Sequence, residues 1–169
     1  MTDEPLFKHA HAALVFAFRY SSQSGPPPTG MAKMMRGPVA SGNGLVGLDG
    51  AAQAGLIRAM VGELRPIHRH IIIARFAVDL HESIPAQLAL IPHAGAQLGS
   101  GIQHRRLIDH LVQKYFGRRW HLGDIAESCG VHRNTMTEKW RLIRDRFRTD
   151  ESSANEEIGA RFQGAGLTL

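Results

Sequence analysis

The chain is poor in cysteine and has no long hydrophobic run. Its single cysteine, Cys129, excludes an internal disulfide and a multi-cysteine zinc site. The apolar stretch ALVFAF at 13–18 is much shorter than the ~18 residues that a membrane span requires. The N-terminus, MTDEPLFKHA, lacks the basic-then-apolar order of a signal peptide. We therefore expect a cytoplasmic protein without a membrane segment.

Sequence motifs for catalysis are also missing. We find no Gly-rich phosphate loop, no paired-carboxylate spacing and no nucleophile motif, so we predict neither an enzyme nor a cofactor. The histidine pairs His9/His11 and His68/His70 would point about 200° apart on a helix and would not converge on a metal. Four more histidines surround a glycine-rich stretch: His81, His93, His104 and His110. They form a metal site only if the fold gathers them, and structural or solvent-facing roles are favoured.

The positive charge is concentrated in one region. The chain has 20 Lys and Arg against 15 Asp and Glu, a net charge of +5. Residues 101–150 contain eleven basic and six acidic residues, so they carry the whole excess and the remainder is neutral. A solvated helix face is the ordinary explanation of a charge run alone. A basic region beside a neutral remainder is, however, also the electrostatic pattern of phosphate contact.

Apolar residues recur at helical spacing along most of the chain, which predicts an all-α helical bundle. The expected layout comprises an N-terminal segment 1–20 with a helix at 3–20, a Gly/Pro-rich linker at 21–47, a helical region at 48–103, a three-helix unit at 104–148, and a C-terminal helix and tail at 149–169. The three isoleucines at 71–73 are also compatible with a buried strand.

Within this layout, local signals predict the individual helices. The helices expected in the middle region are 51–64, 66–78 and 83–91, followed by a glycine-rich break at 92–101. The three-helix unit is expected at 105–116, 122–129 and 133–147. Ser153 and Glu156 have capping-box spacing for a last helix at 154–163, after which the tail is expected to fray.

The stretch DIAESCGVHRNTMTEKW at 124–140 has the spacing of a helix-turn-helix. Ala126 is small where two helices approach closely, and Gly130 tolerates positive φ in the connection. Val131 fills the core between the helices, while Met136 and Trp140 hold the third helix in place. We therefore predict that the third helix presents its polar face to a partner.

The residues left on that face are of the types that contact DNA. Arg133 and Asn134 can make bidentate contacts to guanine and adenine edges, and recognition helices use their N-terminal portion for this purpose. The candidate contacts on the third helix are Arg133, Asn134, Thr135, Thr137, Glu138 and Arg141. The candidate phosphate contacts are Arg105, Arg106, Arg118, Arg119, Arg144 and Arg148.

This stretch resembles sigma-factor region 4 and related helix-turn-helix transcription regulators. LIRAMVGELRPIHRHIIIARF at 56–76 is similar to the helix pair that precedes the motif in sigma factors. In sigma factors the motif follows almost at once, whereas here a fresh first helix at 105–116 intervenes. His132 also stands where Ser or Thr commonly caps the recognition helix.

In size and layout the chain is similar to the phage antitermination protein Q family, whose members bind DNA near a late promoter and load onto paused RNA polymerase. The resemblance implies a phage or prophage regulator that acts on double-stranded DNA in a bacterial host. RNA polymerase or a second copy of the chain, as a homodimer, would be its protein partner. Two alternatives stay open: a DNA-packaging component such as a small terminase subunit, and a protein-interaction module that does not touch DNA.

Overall fold

The computed structural model describes residues 5–23, 48–98 and 105–169, and this part of the chain is all-α, as expected, without a named strand. The helices are α1 (Ala10–Gln23), α2 (Leu48–Gly62), α3 (Pro66–Phe76), α4 (Leu80–Ala89), α5 (Ile91–Gln97), α6 (Arg105–Tyr115), α7 (Leu122–Ser128) and α8 (Arg133–Gly164). No helix in these ranges is long and apolar enough to cross a lipid bilayer. The linker expected at 21–47 lies outside the described residues, except that 21–23 continue α1.

The helices enclose two hydrophobic cores. The first lies between α3, α4, α5, α6, α7 and the first half of α8, and contains Leu111, Met136 and Phe147. The second lies between α1, α2, α3 and the second half of α8, and contains Ile57 and Phe162. The long helix α8 therefore belongs to both cores.

The three isoleucines are helical, and their run is explained by the two cores. Ile71 is buried in the first core and Ile72 in the second, while the partly buried Ile73 packs against both. Neighbouring residues on a helix point about 100° apart. A continuous apolar run can therefore fill two cores from one helix, and Pro66 at the first position starts it.

The prediction of a separate last helix at 154–163 is wrong, because α8 continues through all 32 of its residues. Ser153 lies inside α8 rather than ahead of a new helix. The buried residues Phe147, Ala154, Ile158 and Phe162 repeat at steps of seven, four and four, so one face of the helix stays in contact with the cores. Burial along this face stabilises the continuous helix more than a capping box stabilises a break.

The two chain ends pack together, which corrects two expectations. Helix α1 begins at Ala10 and not at residue 3, because Phe7 pairs with Thr168 in an isolated parallel bridge and its N–H donates to the Leu167 carbonyl at 3.0 Å. The tail does not fray, since Leu167 and Thr168 are buried. Gly166, with φ of +69°, turns the chain back after α8.

Two boundaries in the middle of the chain also differ from the prediction. Helix α4 begins three residues earlier than expected, because the Asp79 side chain caps it by accepting a hydrogen bond from the His81 N–H at 2.8 Å. The stretch expected to be a break, 92–101, is helical up to residue 97 as part of α5. Gly95 is there for close packing: a Cβ at this position would come within 3.2 Å of the Ile108 side chain on α6.

Candidate nucleic-acid interface

A tight glycine turn connects α7 to α8. The Val131 N–H donates to the Ala126 carbonyl at 2.9 Å, and the Gly130 N–H donates to the Glu127 carbonyl at 3.2 Å. Gly130 has φ of +64°, which makes this a Schellman-type helix end. Because Ala126 is buried and its carbonyl receives the turn's hydrogen bond, the end of α7 is fixed against the start of α8.

His132 caps α8. Its Nδ1 accepts a hydrogen bond from the Asn134 N–H at 3.3 Å, which satisfies one of the free donors in the first turn. The imidazole thus takes the place of the Ser or Thr side chain that is usual at this position. The departure from the sigma-factor pattern at residue 132 is therefore compatible with an ordered helix start.

The inward face of this region packs against the first core. Met136 and Ile125 are fully buried, and Val131, Trp140 and Cys129 are partly buried against the same core. Cys129 is a free thiol in this packed position. Because this face of α8 packs on the first core, the opposite face is exposed to solvent from the first turn of the helix.

The outward face of α8 carries a row of polar and basic side chains. At about 100° per residue, the members of this row lie within about 80° of one another, and we call them the α8 strip: Arg133, Thr137, Arg141, Arg144 and Arg148. Asn134 and Glu138 are exposed beside it. Thr135 is half-buried and points away from Thr137, so the structure does not bring it to this face.

Two members of the strip are held in defined positions. The Thr137 hydroxyl donates to the Arg133 carbonyl at 3.1 Å. The Arg133 guanidinium lies against α7, since a Cβ built at Gly123 would come within 3.2 Å of Arg133 Nη2. Gly123 therefore provides the space in which Arg133 rests. This role of Gly123 is not visible in the sequence, because a glycine near a helix start carries no sign of what packs on it.

Carboxylates divide the arginines of the described residues into two groups. Five arginines outside the predicted contacts have an acidic partner: Arg58 with Glu82, Arg65 and Arg161 with Glu157, Arg75 with Glu151, and Arg146 with Asp150. Of the predicted DNA contacts, Arg144 has such a partner, Asp145 at 2.9 Å. The other predicted contacts have no carboxylate within 4.0 Å in the described ranges: Arg105, Arg106, Arg118, Arg119, Arg133, Arg141 and Arg148. Outside the predicted contacts, Arg69 on α3 also has none within these ranges.

The connection between α6 and α7 brings part of this second group next to α8. The Arg118 guanidinium lies over the Trp120 ring, 5.5 Å from its centroid. Lys114 Nζ donates to the Trp120 carbonyl at 2.6 Å and lies 5.5 Å from the Trp140 ring centroid. Trp140 directly precedes Arg141, so Lys114 joins the loop to the α8 strip. Lys114 and Trp120 are not among the residues predicted from the sequence to contact DNA. The sequence signal that could have identified them is a lysine six residues before a tryptophan.

Arg105 and Arg106 are placed differently. They begin α6, whereas Arg118 and Arg119 follow its C-terminal end. Eleven helical residues span about 16 Å. The structure therefore separates the two arginine pairs by the length of α6, although the sequence analysis grouped them together.

Two histidines of the described region pair with carboxylates on α8. His68 Nδ1 lies 2.6 Å from Glu157 Oε2, and His93 Nε2 lies 2.7 Å from Asp150 Oδ2, so α3 and α5 are both tied to α8. Among the residues described, no three His, Cys, Asp or Glu side chains form a group able to hold a metal ion. His104 lies outside the described residues.

Comparison with known proteins found no matching family model, no matching curated protein and no matching solved structure. Function is therefore argued from the surface itself. That surface combines exposed guanidinium groups with the amide of Asn134 at the start of a well-anchored helix. Such a surface can neutralise phosphates and form hydrogen bonds to base edges.

Proposed function

We propose that this protein binds double-stranded DNA through the first turns of α8 and acts as a transcription regulator. The observation that carries the proposal is the division of the arginines. Of the arginines predicted to contact DNA, all but Arg144 lack an acidic partner within 4.0 Å, whereas elsewhere in the described chain five arginines have one and Arg69 donates to the Gly62 carbonyl instead. An unpaired guanidinium can contact phosphate without first breaking an ion pair, so this surface favours a polyanion.

In the proposed complex the first turns of α8 enter the major groove. Arg133 and Asn134 contact base edges and supply sequence preference, while Arg141 contacts bases or the adjoining backbone. Arg118 and Arg119 contact phosphates and set the register of the protein on the duplex. Because α8 is anchored in two cores, little ordering of the helix is needed on binding.

The experiment that tests this proposal is selection from a random duplex library with the full chain. The selected duplex and a scrambled control are then titrated by fluorescence anisotropy at two salt concentrations. We expect the selected duplex to bind far more tightly than the control. Equal binding to every duplex would show that the surface binds DNA through its positive charge without sequence preference. Absence of binding at low salt would overturn the proposal.

Arg133→Ala distinguishes base reading from general attraction. We expect this variant to lose roughly 1–3 kcal/mol on the selected duplex and to tolerate changes at one base position. Arg69→Ala is the matched control, because it removes the same charge from α3, where Arg69 donates to the Gly62 carbonyl. If both variants lose affinity equally on selected and scrambled duplexes, Arg133 does not read sequence.

A further inference from the structure

Helix α4 has an apolar row on its outer side. Leu80, Ile84 and Leu88 follow one another at steps of four, so they share one side of the helix over about 12 Å. Their exposed fractions are 67%, 46% and 43%. We call these three residues the α4 stripe, and Val78, at 58%, extends it at the N-terminal end.

Exposed large hydrophobic side chains are concentrated around α4 and are not spread evenly over the described surface. The described residues include eight exposed large hydrophobic side chains, and four of them lie between residues 78 and 88. Helix α4 also buries its opposite side, including Ser83 and Ala86, against the first core. A helix that is apolar on the core side and on the solvent side is typical of one that contacts a second surface.

The charge around the stripe restricts what that surface can be. The two acidic residues nearby are both engaged: Asp79 caps α4, and Glu82 accepts two hydrogen bonds from Arg58 at 3.0 Å each. The exposed neighbours on this side are Pro85 and Ala89, which carry no ionisable group, and the imidazole of His81. A charged partner would therefore find no free carboxylate, lysine or arginine on α4 and one exposed histidine beside the stripe, so the complementary surface should be largely apolar.

A second copy of the chain meets these conditions. Two copies each carry a net charge of +5, located in residues 101–150, so they repel each other least where α4 is neutral. In an antiparallel pair related by a two-fold axis, Leu80 lies opposite Leu88 of the second copy and Ile84 lies opposite its own equivalent. The helix dipoles also run in opposite directions in this arrangement, which avoids like ends meeting.

We propose that two copies of this chain form a dimer by antiparallel pairing of α4 through the α4 stripe. The pairing does not depend on DNA and holds whether or not α8 contacts DNA. A single short helix pair is smaller than a standard protein interface, so we expect a dissociation constant on the order of 1–100 µM. In the presence of DNA, such a dimer would offer two copies of α8 to two half-sites.

The test is sedimentation equilibrium of the full chain over a concentration range that brackets this value, without DNA. We expect twice the monomer mass of 18.6 kDa at the highest concentrations. Ile84→Glu places two carboxylates against each other at the axis and should weaken the dimer by roughly 100-fold or more. Leu56→Glu is the matched control, because Leu56 on α2 is 45% exposed, nearly the same as Ile84, and it should leave the dimer unchanged.

Three outcomes overturn the proposal. The first is a wild-type chain that stays fully monomeric at ~200 µM, above the upper end of the expected range, where more than half of the chain should be dimeric. The others are an Ile84→Glu variant as dimeric as wild type, and equal weakening by Leu56→Glu. Circular dichroism checks that each variant is folded. If Ile84→Glu fails to fold, a substitution that introduces no charge replaces it.

In a Cys129→Ser background, Ile84→Cys should form a disulfide-linked dimer under mild oxidation, and Leu56→Cys should not. Equal cross-linking of the two variants also overturns the proposal.

Discussion

Glu151 on α8 accepts hydrogen bonds from two nitrogens of Arg75 on α3, both at 2.8 Å, and from the Tyr115 hydroxyl on α6 at 2.6 Å. Burial by itself would raise the pKa of Glu151, but the hydrogen bonds from Arg75 and Tyr115 outweigh it and the pKa lies below its usual value. Burial and the same carboxylate raise the pKa of Tyr115, so its hydroxyl stays protonated and donates. One carboxylate thus links three helices.

This network gives a pH-dependent contribution to stability. Because the pKa of Glu151 is lowered in the folded state, its contribution is present above the usual glutamate pKa of about 4.3 and is lost as the pH falls through the folded-state pKa. We expect Glu151→Gln to reduce the free energy of unfolding at pH 7 and to flatten its decline between about pH 5 and pH 3. Urea unfolding across this range measures both effects.

The control for this prediction is Glu156→Gln on the same helix. Glu156 is exposed and accepts a hydrogen bond from Ser152 at 3.3 Å, so its replacement should change the pH profile little. If Glu151→Gln and Glu156→Gln give the same profile, the network around Glu151 does not contribute to the acid sensitivity of the fold.

Gly123 determines where Arg133 rests. In Gly123→Ala the added Cβ would meet the Arg133 guanidinium at 3.2 Å, and a flexible side-chain end can move away. Alanine is also the better helix former, by roughly 0.5–1 kcal/mol in a helix interior and by less at the second residue of α7, where Gly123 lies. We therefore expect unchanged or slightly higher thermal stability, together with altered affinity for the selected duplex. The double variant Gly123→Ala/Arg133→Ala should bind DNA as Arg133→Ala alone does, because Gly123 acts on binding through the Arg133 side chain. If the two losses add, Gly123 does not act through Arg133.

At the scale of the element, α8 connects the proposed DNA surface to the rest of the molecule. A helix of 32 residues is about 48 Å long, far longer than the average helix of a globular protein. It is sustained by burial of Met136, Ile143 and Phe147 in the first core and of Ile158 and Phe162 in the second. Orientation of the first turns is therefore set by packing along the whole helix.

Ser152→Pro tests whether α8 is continuous. Proline inside a helix removes a backbone hydrogen bond and clashes with the preceding turn, at a cost of about 3 kcal/mol or more. It would be tolerated ahead of a separate helix starting near residue 154. Since Ser152 is exposed and lies inside α8, we expect the full loss in unfolding free energy, measured by urea denaturation against Ser152→Ala. A loss of less than about 1 kcal/mol would indicate a break in the helix.

At the scale of the whole molecule, the charge distribution determines how binding depends on salt. The slope of log affinity against log salt becomes shallower by about 0.9 for each phosphate that the protein no longer neutralises. We expect Arg118→Ala with Arg119→Ala to flatten the slope by about 1.8, because both cations are then absent from the loop beside α8. Arg105→Ala with Arg106→Ala should have a smaller effect, since these arginines lie at the far end of α6. If the Arg105/Arg106 variant instead flattens the slope more than the Arg118/Arg119 variant, the DNA backbone runs along the start of α6.

The wider roles suggested by the sequence stay predictions. A link to RNA polymerase or antitermination, a phage origin and a packaging role rest on resemblance and layout. The α4 stripe bears on one of these alternatives. An isologous pair closes after two copies, whereas a packaging ring requires head-to-tail contacts between many copies. The mass measured by sedimentation therefore separates a regulator-like dimer from a ring.

Local sequence signals predicted much of the fold. The period of apolar residues predicted α2, α3, α6 and α7, and the glycine spacing after Ala126 predicted the turn before α8. These features depend on neighbours a few residues apart. The misplaced boundaries have a different origin. Gly95 has the pattern of a helix break but is a packing contact, and Ser153 has the spacing of a cap but lies in a helix that tertiary burial extends.

For this protein, the sequence by itself determined the helical class, the glycine turn between α7 and α8 and the location of the basic region, because each follows from short-range pattern or composition. Only the tertiary structure decided which arginines stay free. The acid that pairs with Arg75 lies 76 residues away, and Arg161 pairs with Glu63, 98 residues away, as well as with Glu157 on its own helix, so much of this pairing depends on packing. Arg118, Arg133 and Arg141 are among the arginines that this packing leaves without a carboxylate within 4.0 Å in the described ranges.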